Sequence, residues 1–152
     1  MSTQSNVSDD LLWEIVRSRN AYLVSRKTGG GAYFSRDPFN LANKHSRTHA
    51  GFVNSKAVSV QPSGEKGVTL QTKKEGKGNT PAKGLNSHKF KSGRSNQKYV
   101  HRGSDSVGKN GYRGDLNESA VQRASAILDS QRPKRDAPVK KPRGLKGSKE
   151  EA

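Results

Sequence analysis

The sequence predicts a small α+β domain of short antiparallel strands with capped helices, together with an extended basic arm and a disordered basic C-terminal tail. Three observations predict it. Capping signals precede two apolar segments, apolar residues alternate in two candidate hairpins, and only 28% of the 152 residues are hydrophobic. So few apolar residues can offset the loss of conformational entropy in only part of the chain. We therefore expect one small core with long solvated extensions.

The first element is predicted to be a short helix. Ser8 precedes two acids and an apolar segment, so that a side-chain oxygen can accept from a first-turn N–H while the acids face the positive end of the helix dipole. A strand is the alternative, because alternate residues of this segment are also apolar. We expect Trp13 to lie in the core rather than against a base. The residues expected to share one helix face are Leu12, Ile15 and Val16.

Two hairpins are predicted from alternating apolar residues. The segment 21–26 alternates, and Gly29 to Gly31 can turn the chain back through 32–35. The second hairpin is expected to be half-buried, with a turn around Pro62 to Gly64. Its inward residues are Val58, Val60, Val68 and Leu70.

Two further helices are predicted from capping residues. Asp37 followed by Pro38 predicts one or two helical turns through Phe39 and Leu41. Asp115 or Asn117 can cap a longer helix, which ends before Pro133 and carries Arg123 on another face. The apolar stripe of that helix consists of Ala120, Val121, Ala124, Ile127 and Leu128.

These elements predict five regions. We expect a flexible N-terminus, an α+β core, a basic arm that reads as loop, a C-terminal helix packed on the core, and a basic tail in which prolines exclude regular structure. Between residues 73 and 113 eleven basic residues stand against two acids. In chain order the regions are 1–7, 8–72, 73–113, 114–131 and 132–152.

The charge of the chain predicts its partner. Twenty-nine lysines and arginines against thirteen acids give a formal charge of +16, and the pI is near 10.4. Solubility alone needs much less charge, whereas nucleic acid is the usual partner of so basic a surface. RNA binding needs cations near phosphates and flat side chains on which unstacked bases can rest, and the sequence supplies both.

The candidate RNA-binding residues are distributed over the core, the arm and the tail. In the core and around its helices they are Arg17, Arg19, Arg26, Lys27, Arg36, Lys44, His45, Arg47, Lys56, Arg113 and Arg123. In the arm they are Lys73, Lys74, Lys89, Lys91, Arg94, Lys98, Tyr99, Arg102 and Tyr112. In the tail they are Arg132, Lys134, Arg135, Lys140, Lys141 and Arg143.

Four rings in the basic arm have two interpretations. Phe90, Tyr99, His101 and Tyr112 lie where no periodic pattern offers them a core. They can stack on RNA bases, or they can pack locally on the folded domain.

No pattern in the sequence supports catalysis, a metal site, a cofactor or a small-molecule substrate. The chain has no cysteine. His45 and His49 would share one face of a helix, but no neighbouring carboxylate or thiolate completes a zinc site. The glycine-rich segments lack the Gly-Lys-Ser/Thr sequence of a phosphate loop, and no nucleophile elbow of the Gly-x-Ser-x-Gly kind occurs.

The sequence offers no signal for secretion or membrane insertion. The first ten residues contain neither a basic cluster nor an apolar run, and no later stretch reaches the length of a membrane span. The segment 133–143, rich in lysine and arginine, can serve as a nuclear import signal as well as an RNA-binding tail.

Three blocks of the sequence resemble the eukaryote-specific large-subunit ribosomal protein family numbered twenty-eight, the L28e family. They contain the motifs Leu12-Trp13 to Val24, Gly51 to Val68, and Tyr112-Arg113 to Leu128. The third block continues into Ser130-Gln131-Arg132-Pro133. The resemblance implies a small α+β domain on the solvent side of the large subunit that binds ribosomal RNA through its loops and C-terminal part.

We therefore expect a non-catalytic constituent of the cytosolic 60S subunit that supports translation, with ribosomal RNA and neighbouring ribosomal proteins as partners. Assembly of such a protein requires passage through the nucleus and nucleolus. The alternative is a nucleolar ribosome-assembly factor, since a related family of such factors begins with a motif similar to Ser8 to Glu14. A basic chromatin-binding protein is the third hypothesis, and the two alternating hairpins argue against it.

Overall fold

The fold combines two antiparallel sheets with one helix before them and one helix after them in the described part of the chain, which confirms the predicted α+β class. The computed structural model describes residues 7–64, 66–78, 80, 82–91 and 111–134. None of the helices within these ranges is long and apolar enough to cross a bilayer. In chain order the elements are α1 (Asp9–Val16), β1 (Leu23–Ser25), β2 (Tyr33–Ser35), β3 (Val58–Pro62), β4 (Val68–Lys73), β5 (Leu85–Phe90), a 3₁₀ turn (Gly114–Leu116) and α2 (Asn117–Ser130).

Helix α1 begins at the predicted cap. The Ser8 hydroxyl oxygen accepts a hydrogen bond from the backbone N–H of Leu11 at 3.3 Å, which confirms the helix over the strand. Trp13 is buried, and Leu12 packs beside it. Ile15 was expected on the same helix face as Leu12, but it is 66% exposed. At 3.6 residues per turn Ile15 lies almost opposite the buried Trp13, so the buried side of the helix is centred on Trp13 and not on Ile15.

The first hairpin is confirmed. Strands β1 and β2 pair antiparallel, with Val24 opposite Phe34. The three glycines of the turn all have positive φ angles, between 74° and 85°, a conformation that other residues adopt at a steric cost.

The predicted helix after Asp37 is wrong, because the chain makes a single turn there. The N–H of Asn40 donates to the carbonyl of Asp37, and one carboxylate oxygen of Asp37 accepts from the N–H of Phe39 at 2.9 Å. The other oxygen accepts from the N–H of Phe52 at 2.8 Å. The Asn40 amide donates to the carbonyl of Lys44. These bonds close a single hydrogen-bonded turn and reverse the chain, so that no helix forms.

The second hairpin is confirmed and belongs to a three-stranded sheet with the order β3-β4-β5. Val60 lies opposite Leu70, as the alternation predicts. Strand β3 is not half-buried but covered on both faces, since Val58, Ser59 and Val60 are all buried. Ser59 tolerates this burial because its hydroxyl donates to the carbonyl of Pro38 at 2.6 Å.

Strand β5 lies in the segment that showed no periodic pattern and was interpreted as loop. It pairs with β4 along its whole length. Five of its six residues are exposed, and only Phe90 is partly buried. A strand with both faces open to solvent has no apolar alternation, which explains why the sequence did not reveal it.

Helix α2 closes the main core as predicted. Ala120 and Ala124 are buried against the apolar residues of β3 and β4. The capping prediction is wrong, because Leu116 occupies the cap position and its side chain makes no capping hydrogen bond. The Asp115 carboxylate instead binds the guanidinium of Arg113. A 3₁₀ turn leads into the helix in place of the expected side-chain cap.

A side-chain amide fixes the C-terminal end of α2 to the sheet. The Gln131 amide nitrogen donates to the carbonyl of Gly67 at 2.9 Å, and the N–H of Gly67 donates to the Gln131 amide oxygen at 2.8 Å. The amide thus pairs with Gly67 as a neighbouring strand would, and it holds the helix end at the β3–β4 turn.

Tyr112 packs on the core rather than standing free for stacking. Its hydroxyl donates to the carbonyl of Lys73 at 2.5 Å and accepts from the N–H of Ala57 at 3.2 Å. Burial raises the pKa of this hydroxyl. Phe90 also packs against the core, so local packing is the correct interpretation for both rings.

Replacing Tyr112 by Phe should lower the free energy of unfolding by about 1–2 kcal/mol, because two buried backbone groups lose their partner. Urea denaturation followed by the fluorescence of Trp13 measures this. Tyr33→Phe is the matched control, since the Tyr33 side chain is 60% exposed. Equal stability of the two variants would contradict the assigned role of Tyr112.

Candidate nucleic-acid interface

One long segment of the core exposes positive charge without exposing negative charge. Residues 15–64 contain eight lysines and arginines but a single acid, Asp37. Asp37 is only 3% exposed, and both of its carboxylate oxygens accept backbone hydrogen bonds. The acid therefore stabilises the turn and does not neutralise the surface.

The free cations of this segment lie on the β1–β2 hairpin and beside it, since Arg19 precedes β1 and Lys44 forms a β-bridge with Phe34. All five are exposed and make no ion pair within the part of the chain that the structure describes. The antiparallel register places 26 and 27 at the turn end of the hairpin and 36 at its open end. We call them the hairpin cluster: Arg19, Arg26, Lys27, Arg36 and Lys44.

A second group of exposed lysines lies on the β3–β4 turn and the β4–β5 hairpin. Lys74, Lys89 and Lys91 were predicted, whereas Lys66, Lys77 and Lys83 were missed as candidates. Their charge was visible in the sequence. The sequence did not reveal the pairing of β5 with β4. This pairing brings the loop residues 77 and 83 to the same end of the sheet as 74. Lys134, after α2, is exposed as well.

Two predicted RNA-binding arginines instead hold the fold together. Arg123 donates through Nε to the carbonyl of Val60 at 2.9 Å and through Nη1 to the carbonyl of Leu41 at 3.1 Å. Arg113 donates to the carbonyls of Lys56 and Thr48, each at 3.0 Å.

Arg113 also forms an ion pair with Asp115 at 2.6 Å. The hydrogen bond from Arg113 lowers the pKa of the Asp115 carboxyl. The guanidinium groups of Arg113 and Arg123 therefore use most of their hydrogen-bonding capacity inside the protein.

Lys73 and Arg47 also have internal partners. The Lys73 ammonium donates to the carbonyls of Gly51 and Asn54 at 2.6 and 3.1 Å, and burial lowers its pKa. Arg47 binds the carboxylate of Asp10 at 2.8 Å and donates to the Asn54 side chain.

Three further candidates form ion pairs at the surface. Arg17 pairs with Glu14 at 3.1 Å, Lys56 with Glu75 at 2.5 Å, and Arg132 with Asp129 at 3.1 Å. Exposed pairs of this kind contribute little to stability. A phosphate can therefore replace the carboxylate at little cost in stability, and these cations remain candidates.

The two histidines do not share a helix face, since residues 45–49 form bends and turns. The ring of His45 lies 5.0 Å from that of Trp13 and 6.2 Å from that of Tyr33. His49 contacts the hydroxyl of Ser46 at 2.9 Å. Burial, followed by the charge of Lys44, lowers the pKa of His49.

The remaining candidates lie outside the described residues, so their predicted roles stay predictions. In the arm they are Arg94, Lys98, Tyr99 and Arg102, together with the ring of His101. In the tail they are Arg135, Lys140, Lys141 and Arg143.

The structure predicts that removing a hydrogen-bonded cation lowers the stability of the fold, whereas removing an exposed cation of the same charge does not. Arg123→Gln should lower the free energy of unfolding by about 1–3 kcal/mol, because two carbonyls lose a charged donor. Arg26→Gln removes the same charge from an exposed side chain and should change stability by less than about 0.5 kcal/mol. Urea denaturation of both variants checks this, and similar losses in the two would refute the division into structural and free cations.

The comparisons with known proteins all indicate the same family. The sequence profile of the Ribosomal L28e protein family matches residues 11–130. The large ribosomal subunit protein eL28 of Schizosaccharomyces pombe is 40% identical over 131 residues, which cover 86% of this chain and 97% of that protein. The protein of the same name from Caenorhabditis elegans is 34% identical over 125 residues, covering 82% and 91%. The chain therefore belongs to the L28e family of ribosomal proteins.

Proposed function

We propose that this chain is a structural, non-catalytic constituent of the cytosolic large ribosomal subunit and that it binds ribosomal RNA. The observation that carries the proposal is the hairpin cluster, which presents five cations on a segment whose only acid is buried. The relatives that match most of this chain are named large ribosomal subunit proteins, which supports the same assignment. Its partners are then ribosomal RNA and the neighbouring ribosomal proteins.

Binding rests on the neutralisation of phosphates by exposed cations. The folded core holds the hairpin cluster and the lysines of the second sheet in fixed positions, so that their charges meet the RNA backbone together. The basic residues of the arm and tail extend this contact along the RNA. Counterions released from the phosphates supply much of the free energy of binding.

The assembly-factor hypothesis makes a different prediction about where the protein resides. A structural constituent passes through the nucleolus and then stays in mature subunits, whereas an assembly factor dissociates before the subunit is mature. The match over residues 11–130 to a ribosomal protein family favours the structural constituent.

Sucrose-gradient fractionation of cell lysate at moderate salt should place the chain in free large subunits, monosomes and polysomes. A stable constituent cosediments with every particle that contains a large subunit. Immunoblotting of the fractions provides the measurement, with a small-subunit protein as the control. Confinement to nucleolar precursor particles, or to chromatin, would overturn the proposal.

Removing charge from the hairpin cluster should weaken RNA binding in a salt-dependent way. Replacing Arg26, Lys27, Arg36 and Lys44 by glutamine should reduce the slope of log affinity against log salt by about 3, if each cation contacts one phosphate. Filter binding of the purified chain to large-subunit RNA at several salt concentrations measures the slope.

The matched control exchanges Arg26 and Arg36 for lysine, which keeps the charge and should keep the slope. An unchanged slope in the glutamine variant would show that the hairpin cluster does not contact phosphates.

A further inference from the structure

A pocket of about 200 Å³ lies beside the lysines of the β4–β5 loop. Phe39 and Phe52 line its apolar wall, and Leu85 borders it from the start of β5. Gly51 allows the wall to form, because a Cβ at this position would lie 2.2 Å from the Cβ of Phe39. The close contact holds Phe39 in place.

One ammonium group at this pocket has a donor to spare. Lys73 lines the pocket, and its Nζ lies 5.5 Å from the centre of the Phe39 ring. Two of its three N–H groups donate to the carbonyls of Gly51 and Asn54. The third has no acceptor within the described residues, so the pocket offers a positioned hydrogen-bond donor beside an aromatic wall.

The charged residues that line the pocket are all lysines. Lys74 and Lys77 line its rim, are exposed, and make no ion pair with any described residue. The nearby carboxylates all have donors. Asp9 accepts from the N–H of Ser55, Asp37 from two backbone N–H groups, and Glu75 pairs with Lys56.

We propose that this pocket binds one unpaired nucleotide of RNA, with its base against Phe39 and Phe52, a base acceptor at the Lys73 ammonium, and its phosphates at Lys74 and Lys77. This inference rests on the proposed function and names the subsite. An apolar side chain of a neighbouring protein would use the wall but neither the spare donor nor the rim lysines. A nucleotide uses all three, because a base has a flat face and polar edges and carries a phosphate.

Ultraviolet cross-linking of intact large subunits, followed by tryptic digestion and mass spectrometry, tests the occupant directly. The pocket wall falls in two tryptic peptides, 37–44 and 48–56. A nucleotide adduct localised to Phe39 or Phe52 is the expected result. If the chain is present in the subunits but both peptides lack nucleotide, the pocket inference fails while the proposed function stands. Absence of the chain from the subunits would instead overturn both.

A binding measurement with the purified full chain tests the individual contacts. The probe is a short single-stranded RNA that carries 2-aminopurine, whose fluorescence reports stacking. Phe52→Leu keeps the apolar wall but removes the ring, and it should weaken binding of the stacked probe about tenfold, with urea denaturation confirming that it folds. An unchanged affinity in a folded Phe52→Leu variant would overturn the stacking role.

A second double variant that removes the same amount of charge is the control for the rim lysines, Lys74 and Lys77. Lys74→Ser with Lys77→Ser should abolish most of the stacking signal at moderate salt. Lys66→Ser with Lys89→Ser removes two exposed lysines near the opposite end of the sheet. It should lower the overall affinity for RNA but keep the 2-aminopurine stacking signal at saturating RNA. Equal loss of the stacking signal in the two double variants would show that the pocket does not position the phosphates.

Discussion

This fold depends on long polar side chains that donate hydrogen bonds to main-chain carbonyls. With 28% hydrophobic residues, the chain cannot cover its sheet with apolar side chains alone. Arg123 reaches the carbonyls of Val60 and Leu41, and the Tyr112 hydroxyl reaches the carbonyl of Lys73. Buried carbonyls without partners would destabilise the fold strongly, so these contacts take over part of the role of a larger core.

The same residue types therefore serve two purposes in one small domain. Lys73, for example, is largely enclosed and bound to two carbonyls, whereas the adjacent Lys74 is exposed. Lys73 is the last residue of β4, whereas Lys74 lies in the loop that follows the strand. Composition reveals the total charge of the chain, but only the position of each cation on an element reveals which charges remain free for a ligand.

The sequence was most informative where local signals coincided with burial. The Ser8 cap, the alanine stripe of α2 and the alternating apolar residues of β3 and β4 each combine a local preference with an apolar pattern, and each was predicted. Strand β5 carries no such pattern, since its stability comes from pairing with β4. The turn at Asp37 depends on a bond to Phe52, fifteen residues away, and no local rule anticipates it.

The sequence predicted that the candidate site is basic, but not which cations belong to it. The absence of exposed acid from residues 15–64 follows from the sequence once Asp37 is known to be buried. The inward roles of Arg113 and Arg123 depend on contacts with residues more than fifty positions away. From the sequence alone these two arginines were therefore assigned to RNA binding together with the exposed ones. Only the tertiary contacts distinguish the two groups.

The amide pairing of Gln131 with Gly67 gives the C-terminal segment a fixed point of departure. Lys149 lies eighteen residues after Gln131, and a fully extended chain of that length spans about 60 Å. Since Gln131 is tied to the β3–β4 turn, the basic groups up to Lys149 must find their targets within this distance of that end of the sheet. Docking of the domain thereby raises the local concentration of these groups around a defined part of the particle.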